Sequence, residues 1–182
     1  MDARPDAGDR PWLAVVEEVT QTIDALSADS VDRLVRELSD HDGRIFFSGQ
    51  GRSGLSAQMV AMRFTHLGYR AHAVGEVTAP SIGQGDLLIL FSGSGDTAVT
   101  VHFAELARSN GARVVAVTTN PDSRLGLLVD LCLTIPIAST RQFGGSLFEQ
   151  ASLIAMDAVV FAIASRRGIT FDEMKARHTN LQ

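Results

Sequence analysis

Two short stretches of this chain carry the residue types that hold a phosphate. Ser92-Gly93-Ser94-Gly95-Asp96-Thr97 places three hydroxyls and two glycines within six residues. It follows Leu87–Phe91, a continuous apolar run of the kind buried on both faces of a parallel sheet. The next segment, 98–109, reads as a helix. Glycines let backbone approach an anion closely, and a helix start offers outward N–H groups and partial positive charge. Ser92, Ser94 and Thr97 add hydroxyl donors, and Thr97 also stands where an N-cap would. A plain capped turn needs only one Ser or Thr, so this density of donors points to phosphate.

Gly49-Gln50-Gly51-Arg52-Ser53-Gly54 repeats the arrangement after the apolar stretch 44–48. The spacing G-x-G-x-x-G also fits a dinucleotide fingerprint, with Glu76 as an acidic residue beyond it. A dinucleotide enzyme would not need the second turn at 92–97, and the chain leaves no length for a separate catalytic domain. As a sugar-phosphate site, the turn offers the Gly51 backbone and the Ser53 hydroxyl. Arg52 either reaches a substrate oxygen or is a solvated loop charge.

Glu149 begins an apolar helical stretch, 147–165. A lone carboxylate there is either a first-turn residue favoured by the helix dipole or a base whose pKa is raised by apolar neighbours. His178 lies near the C-terminal end of the chain, where side chains are usually mobile. His66, His72 and His102 read as satisfied histidines rather than ligands.

Composition bounds the rest. The chain has 182 residues, a net charge of −5 and 20% charged residues, an ordinary globular profile with length for a substantial core. No Lys/Arg cluster interleaves with aromatics, which argues against a nucleic-acid surface. The phosphate site must therefore be local, built from backbone and hydroxyls. Cys132 is the only cysteine and sits in an apolar run as an inert residue. No signal core precedes the first helix, and no uninterrupted apolar run reaches about 18 residues, so the expectation is a cytoplasmic protein with no membrane span.

The elements that position these residues follow in order. Residues 1–11 read as a disordered lead-in and 12–182 as one domain. Trp12, Val16, Val19, Ile23 and Leu26 form one helical stripe, facing the sheet or a partner subunit. Val31, Leu34, Val35 and Leu38 mark a second helix. Strands are expected at 44–48, 70–74, 87–91, 113–118 and 131–135. Helices are expected at 52–67 (with Gly68 as its C-terminal cap), 98–109, 120–128, 147–165 and 170–178. Alternating strands and helices mean a parallel sheet with right-handed crossovers. Five strands fit a three-layer α/β/α, flavodoxin-like sheet in order 2-1-3-4-5. Its order reverses between strands 1 and 3, and ligands bind there, beyond the carboxyl ends of the strands. The two Gly-rich turns should face each other across that crevice.

Together these motifs resemble the sugar isomerase (SIS) domain, and within it the 6-phospho-3-hexuloisomerases. Four further pieces carry the resemblance: Ala61-Met62-Arg63-Phe64-Thr65-His66-Leu67-Gly68, Gly75-Glu76-Val77-Thr78-Ala79-Pro80, Phe148-Glu149, and Ala176-Arg177-His178. The Ser/Gly turns specify only the superfamily; Arg52 and the Ala-Arg-His tail point to the isomerase. The resemblance implies a cofactor-free, metal-free homotetramer that interconverts D-arabino-3-hexulose 6-phosphate and fructose 6-phosphate in formaldehyde fixation by the ribulose monophosphate route. It further implies that Ser53, Ser92, Ser94 and Thr97 hold phosphate, with Gly51, Arg52, Gly93, Gly95 and Glu76 lining the substrate. Glu149 and His178 would be the catalytic pair, His178 reaching a neighbouring subunit's site. Asp96 departs from the family's usual Glu or Gln, Gln50 replaces a small residue, and the loop 136–146 has no close match. Another phosphosugar isomerase and a non-catalytic sugar-phosphate sensor are the other readings. A sensor of the regulator type would normally carry a DNA-binding segment, and nothing basic of that kind precedes residue 44.

Overall fold

The computed structural model describes residues 10–181. Most of the expected lead-in, residues 1–9, lies outside the described residues; Pro11 already belongs to the first helix. The order of elements is α1 (Pro11–Asp24), α2 (Ala28–Ser39), β1 (Ile45–Gly49), α3 (Arg52–Leu67), β2 (Ala71–Ala73), β3 (Leu87–Phe91), α4 (Ala98–Ser109), β4 (Arg113–Thr118), β5 (Leu131–Thr134), α5 (Ser146–Arg167) and α6 (Phe171–Ala176). The segment expected as a helix over 120–128 is instead a set of turns ending in one 3-10 turn, Gly126–Leu128. The Asn120 and Ser123 side chains make local turn bonds there, which compete with a regular helix.

All five strands are parallel, in the order β2-β1-β3-β4-β5. The register sets Ile45 beside Leu87 and Gly49 beside Phe91, so β1 and β3 end level with each other. Every residue of β3 is buried, as its apolar run requires. Alternate side chains feed two cores. Ile45, Phe47, Leu87, Ile89, Phe91, Val115 and Val117 face α2, α3 and α5, while Phe46, Leu88, Leu90, Val114 and Ala116 face α4. Burying each large side chain contributes about 1.5–3 kcal/mol.

Local signals close the elements. Ser27 caps α2 through the Ser30 N–H, and Gly68, at φ +93°, ends α3 in the left-handed conformation. Thr170 and Glu173 form a reciprocal capping box at α6. At the amino end of the sheet, Asp86 accepts from the Arg44 Nε–H (3.0 Å) and from the Gly83 and Arg44 backbone N–H groups, tying the start of β1 to that of β3. Cys132 is half-buried, and burial pushes its thiol pKa up. Helix α5, with 22 residues, has the length and apolar content of a membrane span, which the reading of uninterrupted runs missed. Its inner face, from Phe148 through Ala151, Ala155 and Val159 to Ile163, packs in the core of the sheet.

The first helix does not bury its apolar stripe against the sheet. Trp12 and Val16 are more than half exposed, and Val19, Ile23 and Leu26 are only partly covered. The buried positions of α1 are Glu18 and Thr22, because that face meets the loop before α5.

Candidate functional site

Both Gly-rich turns leave the carboxyl ends of the adjacent strands β1 and β3, as the topology dictates. In the first, Gly51 adopts φ +58° and its carbonyl accepts from the Gly54 and Leu55 N–H groups (3.0 and 3.2 Å). The turn is closed too tightly for side chains: a Cβ on Gly49 would lie 2.7 Å from the Ser53 backbone, and one on Gly54 2.7 Å from the Gly49 carbonyl. No side chain caps α3. Its first N–H groups, at Arg52 and Ser53, have no partner within the helix and are left for an incoming anion.

The second turn is braced from behind. The Gly93 carbonyl accepts from the Thr119 N–H and from the Thr118 and Thr119 hydroxyls, and the Gly95 carbonyl accepts from the Leu125 N–H (2.9 Å). Gly95, at φ +71°, packs so closely on Ser123 that a Cβ would meet its Oγ at 1.9 Å. Asp96 turns outward to accept from the Arg124 N–H (3.1 Å), so its carboxylate anchors the turn to the 120–128 segment. Thr97 holds the N-cap position of α4 but makes no capping bond; its Oγ1 lies 3.4 Å from the Ser92 Oγ. Ser92 is buried and bonded to the Gly95 N–H, whereas Ser94 is exposed. The hydroxyls thus differ in exposure: Ser92 is enclosed in the turn, Thr97 is half-buried, and Ser94 accepts the Asp96 N–H (3.2 Å) at the exposed rim.

Glu149 enters from α5. The Phe148 ring packs on Gly93 (3.4 Å to an added Cβ), which sets the start of α5 against the second turn. Glu149 Oε2 lies 2.9 Å from Arg52 Nε, with the N–H directed off the oxygen. Arg52 is therefore an ion-pair partner and not a free loop charge. Two buried oxygens at the head of this helix, Glu149 Oε2 and Gln150 Oε1, accept no hydrogen bond. Such orphans cost about 1–3 kcal/mol each and concentrate at functional sites.

The structure does not bring every candidate together. Glu76 is exposed and borders a separate apolar cavity lined by Phe46, Val74, Pro80 and Phe103. His178 follows α6 and stacks on His66, ring centroids 5.0 Å apart. Arg177 fastens this tail by donating to the His66 carbonyl (3.1 Å) and lying over Gly68. Burial, with His178 and Arg63 nearby, pushes the His66 pKa below its ordinary value. His66 is fourteen residues along α3 from Arg52, about 21 Å at the helical rise. Within one chain, His178 and Glu149 sit at opposite ends of α3.

A cleft of about 670 Å³ opens at the other end of the sheet, lined by Arg36, Glu37, Arg113 and Asp130. Two of its charges are held in ion pairs, Arg113 with Glu37 and Asp130 with Arg108. It lies away from the strand ends where both turns stand, so its size does not make it the site. Two residues at the site escaped sequence reading, Glu18 and Gly144. Glu18 is hidden in an apolar stripe; the only hint is the run Thr140-Arg141-Gln142, rich in donors that need an acceptor.

Comparisons with known proteins show the family and the fold. The family described as SIS domain matches residues 37–165. A 3-hexulose-6-phosphate isomerase of Mycobacterium gastri is 40% identical over 176 residues, covering 92% of this chain and 88% of that protein. One of Bacillus subtilis (strain 168) is 38% identical over 178 residues, covering 92% and 95%. Among solved structures, a hypothetical protein of Methanococcus jannaschii superposes with a TM-score of 0.82 at 30% identity, covering 94% of this chain and 98% of that one; its structure is described as inferring a 3-hexulose-6-phosphate isomerase function.

Proposed function

This chain belongs to the SIS domain family, and on that premise we propose that it is a 6-phospho-3-hexuloisomerase, interconverting D-arabino-3-hexulose 6-phosphate and D-fructose 6-phosphate in the ribulose monophosphate route. The observation that carries the reading is the meeting of Arg52 and Glu149 beside two hydroxyl-rich, anion-ready turns. One end of the site suits a phosphate, and the other holds a carboxylate fit to move protons.

The reaction moves a carbonyl from C3 to C2 without net redox change. Glu149 removes the C2 proton, acidified by the C3 ketone, and the electrons form a cis-enediol across C2 and C3. The proton returns at C3, and the O2 hydroxyl proton passes to O3. Arg52 stabilises negative charge on the enediolate oxygens, and His178 carries the oxygen proton; exchange of roles between Glu149 and His178 balances equally well. Phosphate held by Ser53, Ser94, Thr97 and the free N–H groups fixes C2 and C3 at a set distance from the base.

His178 serves this chemistry from a neighbouring subunit, because its own Glu149 is a helix length away. A surface suited to assembly is present. Leu55, Met59 and Met62 line the outer side of α3, and Ile154 and Phe161 that of α5, all exposed and linked by the Arg63–Asp157 ion pair. The proposed assembly is a homotetramer with shared active sites.

Turnover of D-arabino-3-hexulose 6-phosphate, followed by coupled detection of fructose 6-phosphate without added metal, tests the reading. Rapid release supports it. No release, with a sugar phosphate still raising the melting temperature, overturns it in favour of another phosphosugar or a sensor.

A further inference from the structure

Residues 138–145 form no helix or strand, yet one carboxylate ties down three of them in succession. Glu18 Oε2 accepts from the Thr140 hydroxyl (2.8 Å) and the Gln142 amide (3.1 Å), and its Oε1 from the Arg141 backbone N–H (2.7 Å) and Nε–H (3.2 Å). Both oxygens are thus used, on a side chain only 10% exposed. Burial alone would raise its pKa, but these donors hold it at about 2, so the group stays charged at neutral pH. Glu17 adds an ion pair to Arg141 (3.0 Å).

Just beyond, the clamped loop meets the site. Gly144 turns at φ +59° so close to Arg52 that a Cβ would lie 2.9 Å from Nη2, and Gly145 follows at 3.7 Å. The Gly145 carbonyl accepts the Glu149 N–H (3.0 Å). A buried carboxylate is costly unless its bonds are made, and here four donors satisfy both oxygens only while residues 140–142 keep this one arrangement.

We propose that Glu18 is a positioning residue: by clamping 140–142 it holds Gly144 and Gly145 as a wall against the Arg52 guanidinium, and so keeps Arg52 beside Glu149. Its catalytic consequence rests on the isomerase reading; the clamp itself does not.

The test uses Glu18→Gln and Thr140→Val in the full chain. Glu18→Gln keeps the shape but turns an amide N–H₂ toward the loop's donors. Three readouts are taken: kcat and KM on the hexulose phosphate, affinity for inorganic phosphate, and the NMR signal of the Arg52 Nε–H, identified by its loss in Arg52→Lys. Glu18→Gln should lower kcat by about tenfold or more, the scale of a misplaced catalytic group, with KM and phosphate affinity held within about twofold. The Arg52 Nε–H signal should move and broaden as the guanidinium loses its fixed place beside Glu149. A lowered melting temperature with kcat and the Arg52 signal unchanged would overturn the proposal, since that is what a purely structural Glu18 produces. If Glu18→Gln does not fold, Thr140→Val decides: it alters an exposed side chain and should shift the same readouts in the same direction, and no shift overturns the clamp. If the wild type shows no turnover, the isomerase reading fails, while the Arg52 signal still decides the clamp.

Discussion

Arg52 and Glu149 meet at 2.9 Å although they begin different helices, α3 and α5. The contact sets a cation that can stabilise an enediolate against a carboxylate that can move its protons. Both stand where helix N-termini and hydroxyls gather around the ends of β1 and β3. Glu149→Gln should lower kcat by about 10²-fold, the scale of general-base loss, with fructose 6-phosphate binding retained in calorimetry. Near-normal turnover would remove Glu149 from the mechanism. Arg52→Lys should also impair kcat, since a point ammonium cannot reproduce the planar fork between Gly144 and Glu149.

Exposure differs along the turn at 92–97, and Ser94 stands at its open rim. Ser94→Ala removes an exposed hydroxyl and should weaken sugar-phosphate affinity by about tenfold, the worth of one hydrogen bond to a charged group. Unchanged affinity would refute the phosphate reading. Gly95→Ala should act through the fold. Its φ of +71° and the Ser123 Oγ at 1.9 Å from an added Cβ predict a loss of about 1–3 kcal/mol or more in urea denaturation.

The stacking of His178 on His66 yields a prediction about assembly. His178→Ala and Glu149→Gln should each be inactive alone. Mixed through dissociation and reassembly, they should recover about a quarter of wild-type activity, the statistical share for sites built from two subunits. No recovery from oligomers shown to have exchanged subunits would place both residues in one chain's site.

Glu18 makes acid stability a readout. Its pKa falls from the ordinary 4.5 to about 2 in the folded protein. Between those values the unfolded chain binds the extra proton, so folding stability rises with pH across the window. This contribution is complete above about pH 4.5 and is lost progressively toward pH 2. The melting temperature of the wild type should fall more steeply over that range than that of Glu18→Gln, and parallel curves would remove Glu18 from the acid transition.

What sequence alone determined was local or periodic. Leu87–Phe91 is apolar at every position, as a strand buried on both faces requires, and alternation of such runs with helical stripes implied a parallel sheet, with 2-1-3-4-5 as its simplest order. Glycines at 49, 51, 54 and 95 mark turns whose backbone admits no Cβ, and hydroxyls counted along the chain located the phosphate-ready surface. Tertiary structure alone decided which charges meet across long separations in sequence. Arg52 read as well as a solvated charge until α5 brought Glu149 to it. Trp12 and Val16 read as facing either the sheet or a partner subunit until α1 turned Glu18 toward the loop before α5 and left them uncovered. His178 was expected to reach a neighbouring subunit's site, and its tail docks on His66, a helix length from the Glu149 of its own chain. The physical reason is that hydrophobic periodicity reports which face is buried, summed over neighbours of any kind. An ion pair or a carboxylate clamp depends on one particular partner, and only the packing of the whole chain selects that partner.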